Sequence, residues 1–322
     1  MCKKISFYVA ACSLDGGVYR CELTDGGVEQ KKIISAPSPM WIEYAEGDSL
    51  WVLMRCPFED SVDSGVARYD LESGEQIGDT FSTKGEVACH LSVVDGELYA
   101  ANYVSGSVWK SPDRVIAHCG QGTHKIRQTS PHVHSVFQSP DNRYIVSCDL
   151  GLDKIFVYDR ELKPVSVAET PTASGARHLV FSRDGEYAYV ISEMGASIHT
   201  YKWNDGVLTH ISNVSCLPDG MTEGKGSAIR ISQDGKRLYV TERATKSIVA
   251  FSVDGENLTL VDRVDCHGDE PRDLILVGNE SYAICANQFS DNCTIFKVCN
   301  DGTLEYLRSL SIKAPLCLLE PR

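Results

Sequence analysis

ARHLVFSRDGEYAYVISEMGASIHTY (176–201) and AIRISQDGKRLYVTERATKSIVAF (228–251) are two copies of one pattern, and PHVHSVFQSPDNRYIVSCDLGLDKIFVY (131–158) is a third. In each, a small or basic polar residue opens an apolar strand. A turn and a second strand follow, the second strand ends in another polar residue, and a third strand comes after it. About five such units lie between His90 and Val298. Aligned on the turn, the opening positions are His134, Arg177, Ser227 and Arg272, which gives spacings of 43, 50 and 45 residues. A repeat of that length with strand periodicity is the blade of a β-propeller. A propeller has a built-in site, the mouth of its central channel.

The inner strands are expected to begin near Met40, Cys89, His134, Arg177, Ser227 and Arg272, which makes six units. Residues 5–23 supply two more strands without an inner partner, and the tail LSIKAPLCLLEPR (310–322) offers one at 315–319. Pairing that tail with residues 5–12 makes a seventh blade from both ends of the chain and removes the open sheet edges. The expectation is therefore an all-β fold, a seven-bladed β-propeller filling residues 1–322 as a single domain. Asp-Gly turns at 15–16, 25–26, 95–96, 184–185, 234–235 and 301–302 mark strand boundaries.

Composition narrows the function. The 322 residues carry 44 acidic against 31 basic side chains, a net charge of −13. That field repels nucleic acid and anionic membranes, so neither is expected as a partner. A small anionic ligand is not excluded, because a few convergent arginines dominate locally. The 13 cysteines are an odd number, scattered singly from Cys2 to Cys317 without a C-x-x-C. They read as reduced, buried small hydrophobes of a cytoplasmic protein. The start, MCKKISFYVAACSLDGG, loosely resembles a lipoprotein signal, but its apolar run 5–11 is short and reads as a strand before a Gly-Gly turn. No stretch approaches the roughly 18 apolar residues of a membrane span.

In each blade the first strand leaves one mouth of the channel and the second returns to it. Residues that open first strands and residues that end second strands therefore meet. The first set holds His90, His132, His134, Arg177, His178, Arg272 and Asp273, and the second holds Asn102-Tyr103, Asp149, Ser192-Glu193, Glu242-Arg243 and Asn287-Gln288. Arg230, three residues into its strand, is expected deeper, paired with a carboxylate such as Glu193 or with a ligand anion. His132 and His134 form an H-x-H on one face of a strand. They are a conceivable metal pair, but spacing fixes no third ligand, so no metal is expected. Arg177 and Arg272 suit a bidentate grip on carboxylate or phosphate, or else inter-blade salt bridges. Glu193 is the best acid/base candidate, with a structural ion pair as the alternative. Asp149 reads mainly as a turn residue binding backbone amides, and His90 as either a site or a packing residue.

These segments, together with EPRDLILVGNESYAICANQFSDN (270–292) and CHLSVVDGELYAANYVSGSV (89–108), resemble the seven-bladed lactonase family. Its members include propeller-type 6-phosphogluconolactonases and fungal carboxy-cis,cis-muconate cyclases. The resemblance covers about residues 88–298 and the closing tail, whereas MWIEYAEGDSLWVLMRCPFED (40–60) keeps little of the family pattern. It implies hydrolysis of a sugar lactone, foremost 6-phosphogluconolactone, without metal or organic cofactor. Carried over, the active-site positions fall on His132, His134, Arg177, Glu193 and Arg230. Glu193 or a histidine of the pair would activate water, and Arg177 and Arg230 would hold the oxyanion. His90, Asn102, Asp149, His178, Arg243, Arg272, Asn287 and Gln288 complete the expected substrate contacts. A cyclase or isomerase acting on a muconate-like or sugar acid, and a non-enzymatic ligand- or protein-binding propeller, are the rival readings. A monomer or homodimer fits all of them.

Overall fold

The computed structural model describes residues 5–24 and 26–322. Within them, 28 strands form seven four-stranded antiparallel sheets, and no helix occurs among the described residues. Six sheets use four consecutive strands each. Their inner strands are Pro39–Tyr44, Ala88–Val94, Val133–Gln138, Ala176–Phe181, Gly226–Ile231 and Pro271–Val277, so every expected inner strand is found. In the seventh sheet Pro315–Leu319 pairs with Ile5–Ala11, which pairs with Gly17–Thr24 and then Gly27–Ser35. The partners Tyr8↔Leu319 and Ala11↔Pro315 set the register of the closure. Blades are numbered one to six from the sheet of Pro39–Tyr44, with the composite sheet as blade seven.

Local chemistry explains the strand ends. Asp95 (φ 49°) and Gly96 (φ 83°) both adopt the left-handed conformation that a two-residue hairpin turn requires. In the Ser-x-Asp-Gly turns, the Asp184 carboxylate accepts the Ser182 hydroxyl at 2.5 Å and the Glu186 amide at 2.9 Å. Ser139-Pro140-Asp141-Asn142 is the same turn, with Asn142 (φ 59°) in the glycine's place. The expected turn at 25–26 includes Asp25, which lies outside the described residues, as do the lysines at 3 and 4.

Along the inner strands alternate residues face the two neighbouring blades, so both faces are buried, whereas outer strands such as Val207–Ser215 are largely exposed. The seven hydrophobic clusters correspond one to one with the seven blade interfaces. Val146, Val157, Leu179 and Val190, for example, join blades three and four. The closing strand serves three of them: Leu316 packs between blades one and two, Cys317 between seven and one, and Leu318 between six and seven.

That sharing yields a prediction. Deleting Pro315–Arg322 takes buried side chains from three interfaces and leaves the edge of Ile5–Ala11 unpaired. Losing two buried leucines alone costs about 2–5 kcal/mol each. At roughly 2–4 °C per kcal/mol, thermal unfolding should move down by on the order of 10 °C and stay cooperative. An unchanged melting temperature would refute the shared blade.

The inner strands also share one irregularity. Each inner strand carries an extra residue, opposite no partner, near its start at the mouth. The bulged residues are Met40, Cys89, His134, Arg177, Ser227 (with Ala228), Arg272 and Leu316, one per blade.

Candidate active site

A side chain freed from the ladder by a bulge is aimed away from the blade's own packing. In this ring, six of the bulged residues point at the channel: Met40, Cys89, His134, Arg177, Arg272 and Leu316 line a small chamber together with Trp41 and His178. Two further rings sit above them. The amide of the residue that follows each second strand donates to a carbonyl just before the bulge. The donors are Cys12, Arg55, Tyr103, Leu150, Glu193, Arg243 and Gln288; the acceptors are Ala314, Ser38, Val87, His132, Gly175, Lys225 and Glu270. The mouth opens as a cavity of about 260 Å³ lined by Met40, Arg55, Val87, Cys89, Tyr103, Arg127, His134, Glu193, Lys225, Arg243 and Arg272. All but Arg127 belong to these three rings.

Glu193 is the centre. Its carboxylate accepts from Arg127 Nη2 at 2.5 Å, Arg243 Nη2 at 2.9 Å and Arg177 Nε at 3.2 Å, and His134 Nε2 lies 3.8 Å away. Arg243 reaches on to Glu270 at 2.6 Å, and Arg272 approaches the same carboxylate at 3.4 Å. Burial favours the neutral acid, but the guanidinium groups of Arg243, Arg177 and Arg272 hold the Glu193 carboxyl well below the usual carboxylate range. With three guanidinium groups already on its oxygens, this carboxylate is a poor proton acceptor. His134, buried and beside Arg177, is pushed well below 6.5, Glu193 only partly opposing, and so stays neutral with a free lone pair. The mouth therefore separates two roles: a fixed anion and a neutral base.

The remaining expected residues divide. His132 and His134 meet around Tyr103, His132 stacked on its ring at 4.6 Å and His134 edge-on at 5.4 Å. The His132 Nδ1 faces the Tyr103 carbonyl oxygen at 3.0 Å, which fixes the ring. Arg177, Arg243 and Arg272 are in the network. Gln288 occupies its ring position but does not line the cavity. His90 and His178 lie lower in the channel, His90 tilted against Trp41 and both edge-on to Phe137. Burial first, then Arg230 and Arg177 for His90 and Arg177 for His178, keeps both imidazoles neutral.

Asn102, Asn287 and Arg230 correct the expectation, and Asp149 follows its main reading, a turn residue binding backbone amides, rather than that of a substrate contact. Asn102, Asp149 and Asn287 are fully buried and turned from the mouth. Asn102 donates to the Thr83 carbonyl and Ser107. Asp149 accepts the His132 and Leu152 amides and pairs with His118 Nδ1 at 2.5 Å. Asn287 donates to the Cys266 carbonyl and Thr294. They are loop clamps. The residue after each clamp takes the ring position of the amide donors, and of these Tyr103 lines the cavity. Arg230 does not meet Glu193: it pairs with Asp273 at 2.6 Å, about 10 Å down the strand from the bulge at ~3.3 Å per residue. It lines neither the mouth nor the chamber beneath.

Sequence reasoning missed Arg55, Arg127, Lys225 and Glu270. It also missed the approach of Cys89 Sγ to His134 Nδ1 at 3.8 Å. Burial pushes that thiol up to about 12, with Arg177 opposing, so it is not a thiolate nucleophile. A larger hollow, about 400 Å³, lies at the opposite end of the blades. Its Glu43, Glu46, Asp95, Arg68 and Arg322 form no comparable buried acid/base set.

The comparisons with known proteins agree with this fold. The family described as "Lactonase, 7-bladed beta-propeller" matches residues 6–320. A 6-phosphogluconolactonase from Bacillus subtilis is 34% identical over 285 residues, covering 79% of this chain and 80% of that protein. Among solved structures, a protein from Lactobacillus plantarum superposes with a TM-score of 0.92 at 25% identity, covering 99% of this chain and 100% of that one. A periplasmic gluconolactonase from Pseudomonas aeruginosa does so with 0.87 at 26% identity, covering 98% of each.

Proposed function

Because the chain belongs to the seven-bladed propeller lactonases, and is a lactonase, we propose that it hydrolyses 6-phosphogluconolactone to 6-phosphogluconate at the Glu193 mouth. The observation that carries the reading is the Glu193 network itself. One buried carboxylate, three guanidinium groups on it and a neutral imidazole 3.8 Å away sit at the floor of a cavity of about 260 Å³. Family membership displaces the non-enzymatic binder.

In the proposed step His134 takes a proton from water as the oxygen bonds to the lactone carbonyl carbon. The carbonyl oxygen becomes an oxyanion, placed toward the guanidinium face of Arg177, Arg243 and Arg272. Collapse breaks the ring C–O bond. The proton on His134 goes to the departing alkoxide, and the new carboxylic acid releases its own proton to solvent. Glu193 keeps the arginines fixed and stabilises the imidazolium as it forms. No metal is assigned a role, and among the described residues no three His, Cys, Asp or Glu side chains converge with ligand geometry.

A cytoplasmic setting is part of the proposal. It is supported by twelve unpaired cysteines among the described residues, seven of them buried. No helix of the described residues is long and apolar enough to cross a membrane.

The test is turnover of 6-phosphoglucono-δ-lactone and glucono-δ-lactone by purified protein, above the spontaneous rate, with and without a chelator. Turnover that the chelator leaves intact is expected. Activity lost to chelation and restored by a divalent ion would overturn the metal-independent step. Failure to turn over any lactone would overturn the substrate class.

A further inference from the structure

The cations at the mouth are not equivalent. Arg127, Arg177 and Arg243 are bound by Glu193, and Arg272 approaches Glu270. Arg55 and Lys225 also line the cavity, yet neither side chain has a carboxylate partner among the described residues. Both are exposed, while Glu193, Arg177 and Arg243 beneath them are buried. They enter from opposite sides of the ring. Arg55 follows the second strand of blade one, and its charge is felt by Cys12 and Cys89 at the mouth. Lys225 sits at the lip of blade five, its backbone held by Glu242 Oε1 on its amide and by the Arg243 amide on its carbonyl. The two positions are the rim-ring equivalents of Glu193 and of His132, so the repeat that builds the catalytic floor also presents these two free charges above it.

Given the phosphorylated lactone proposed above, on which this assignment rests, we infer that Arg55 and Lys225 form the phosphate subsite and set the preference for a phosphorylated sugar lactone. A phosphate monoester carries about −1.5 to −2 charges near neutral pH. The protein as a whole carries −13, so its long-range field opposes such a substrate and a local positive lip has to outweigh it. Arginine offers a planar fork for two phosphate oxygens, and lysine a mobile point charge. Neither must first be released from an internal carboxylate. The lactone ring then rests below, over His134 and the bound arginines.

The experiment compares kcat/KM for 6-phosphoglucono-δ-lactone with that for glucono-δ-lactone. It uses wild type, Arg55→Ala, Lys225→Ala, the double variant, and the conservative pair Arg55→Lys and Lys225→Arg. The readout is the ratio of the two constants. Wild type should favour the phosphorylated substrate. Each alanine should cut the ratio about 10–100-fold, as expected for losing a charged hydrogen bond, with the conservative variants keeping more of it. Inorganic phosphate should inhibit wild type competitively and the double variant far less. A wild-type ratio near one, or a ratio unmoved in the double variant, overturns the subsite. If wild type hydrolyses neither lactone, the functional reading fails separately. The subsite is then decided by calorimetry with inorganic phosphate alone: binding lost in the double variant supports it, and no binding refutes it.

Discussion

His134→Ala is expected to lower turnover by about 10²–10⁴-fold, the usual contribution of a positioned general base. His134 is 3% exposed and lies on the cavity floor, so the variant leaves a void but no unpaired charge. The wild-type pH profile gives an independent check. A base works only when unprotonated, and burial with Arg177 pushes the His134 value well below 6.5. Activity should therefore be level above pH 6.5 and fall only as pH drops through that lowered value. The acid limb should vanish from the residual activity of His134→Ala. The His132→Ala variant should lose far less, because its ring is committed to the Tyr103 carbonyl and the Tyr103 face. If instead His132→Ala is the crippled enzyme and His134→Ala works normally, the base has been placed on the wrong histidine.

Glu193→Gln should be costly in two measurements at once. A glutamine cannot balance Arg127, Arg177 and Arg243, and its amide donors would face guanidinium donors. Removing one partner of a buried ionic network typically costs 3–5 kcal/mol, which lowers the melting temperature by roughly 10 °C in a domain of this size. Turnover should also fall, by about 10²–10³-fold, as the arginines lose their fixed positions. Were Glu193 the general base, activity would collapse while stability stayed near wild type. That outcome would return the proton to the carboxylate. Arg177→Ala separates the contributions further: it leaves Glu193 with two guanidinium partners, so turnover should fall with a smaller loss of stability.

The sequence showed the blades because their signals are local. A Ser-x-Asp-Gly turn between two apolar runs carries its own hydrogen bonds and needs no distant residue to be recognised. The bulge residues His134, Arg177, Ser227 and Arg272 were visible for the same reason, as the polar letters that interrupt an apolar strand start. Arg55 was hidden because blade one lacks the turn from which the others are aligned, although it is the counterpart of Glu193. Arg127 has no counterpart at all, since it comes from the connection between Arg114–Ala117 and Val133–Gln138. The misplacement of Asn102 and Asn287 has a simple cause. With a period of two, an error of one residue exchanges the rim for the interior. Burying an arginine does demand a carboxylate at Arg230, but Asp273 of the next blade supplies it and no sequence spacing announces a cross-blade pair.

The seven bulges have a consequence for how such a protein can diverge. A residue squeezed out of the ladder makes none of its cross-strand pairing, so exchanging its side chain disturbs neither register nor strand order. Cys89, His134, Arg177, Ser227 and Arg272 thus act as interchangeable letters written on a scaffold that does not depend on most of them, whereas Met40 and Leu316 also pack the interface of blades one and two. Descendants of one ancestral ring can change which molecule they accept by rewriting this short word, while the fold is inherited intact.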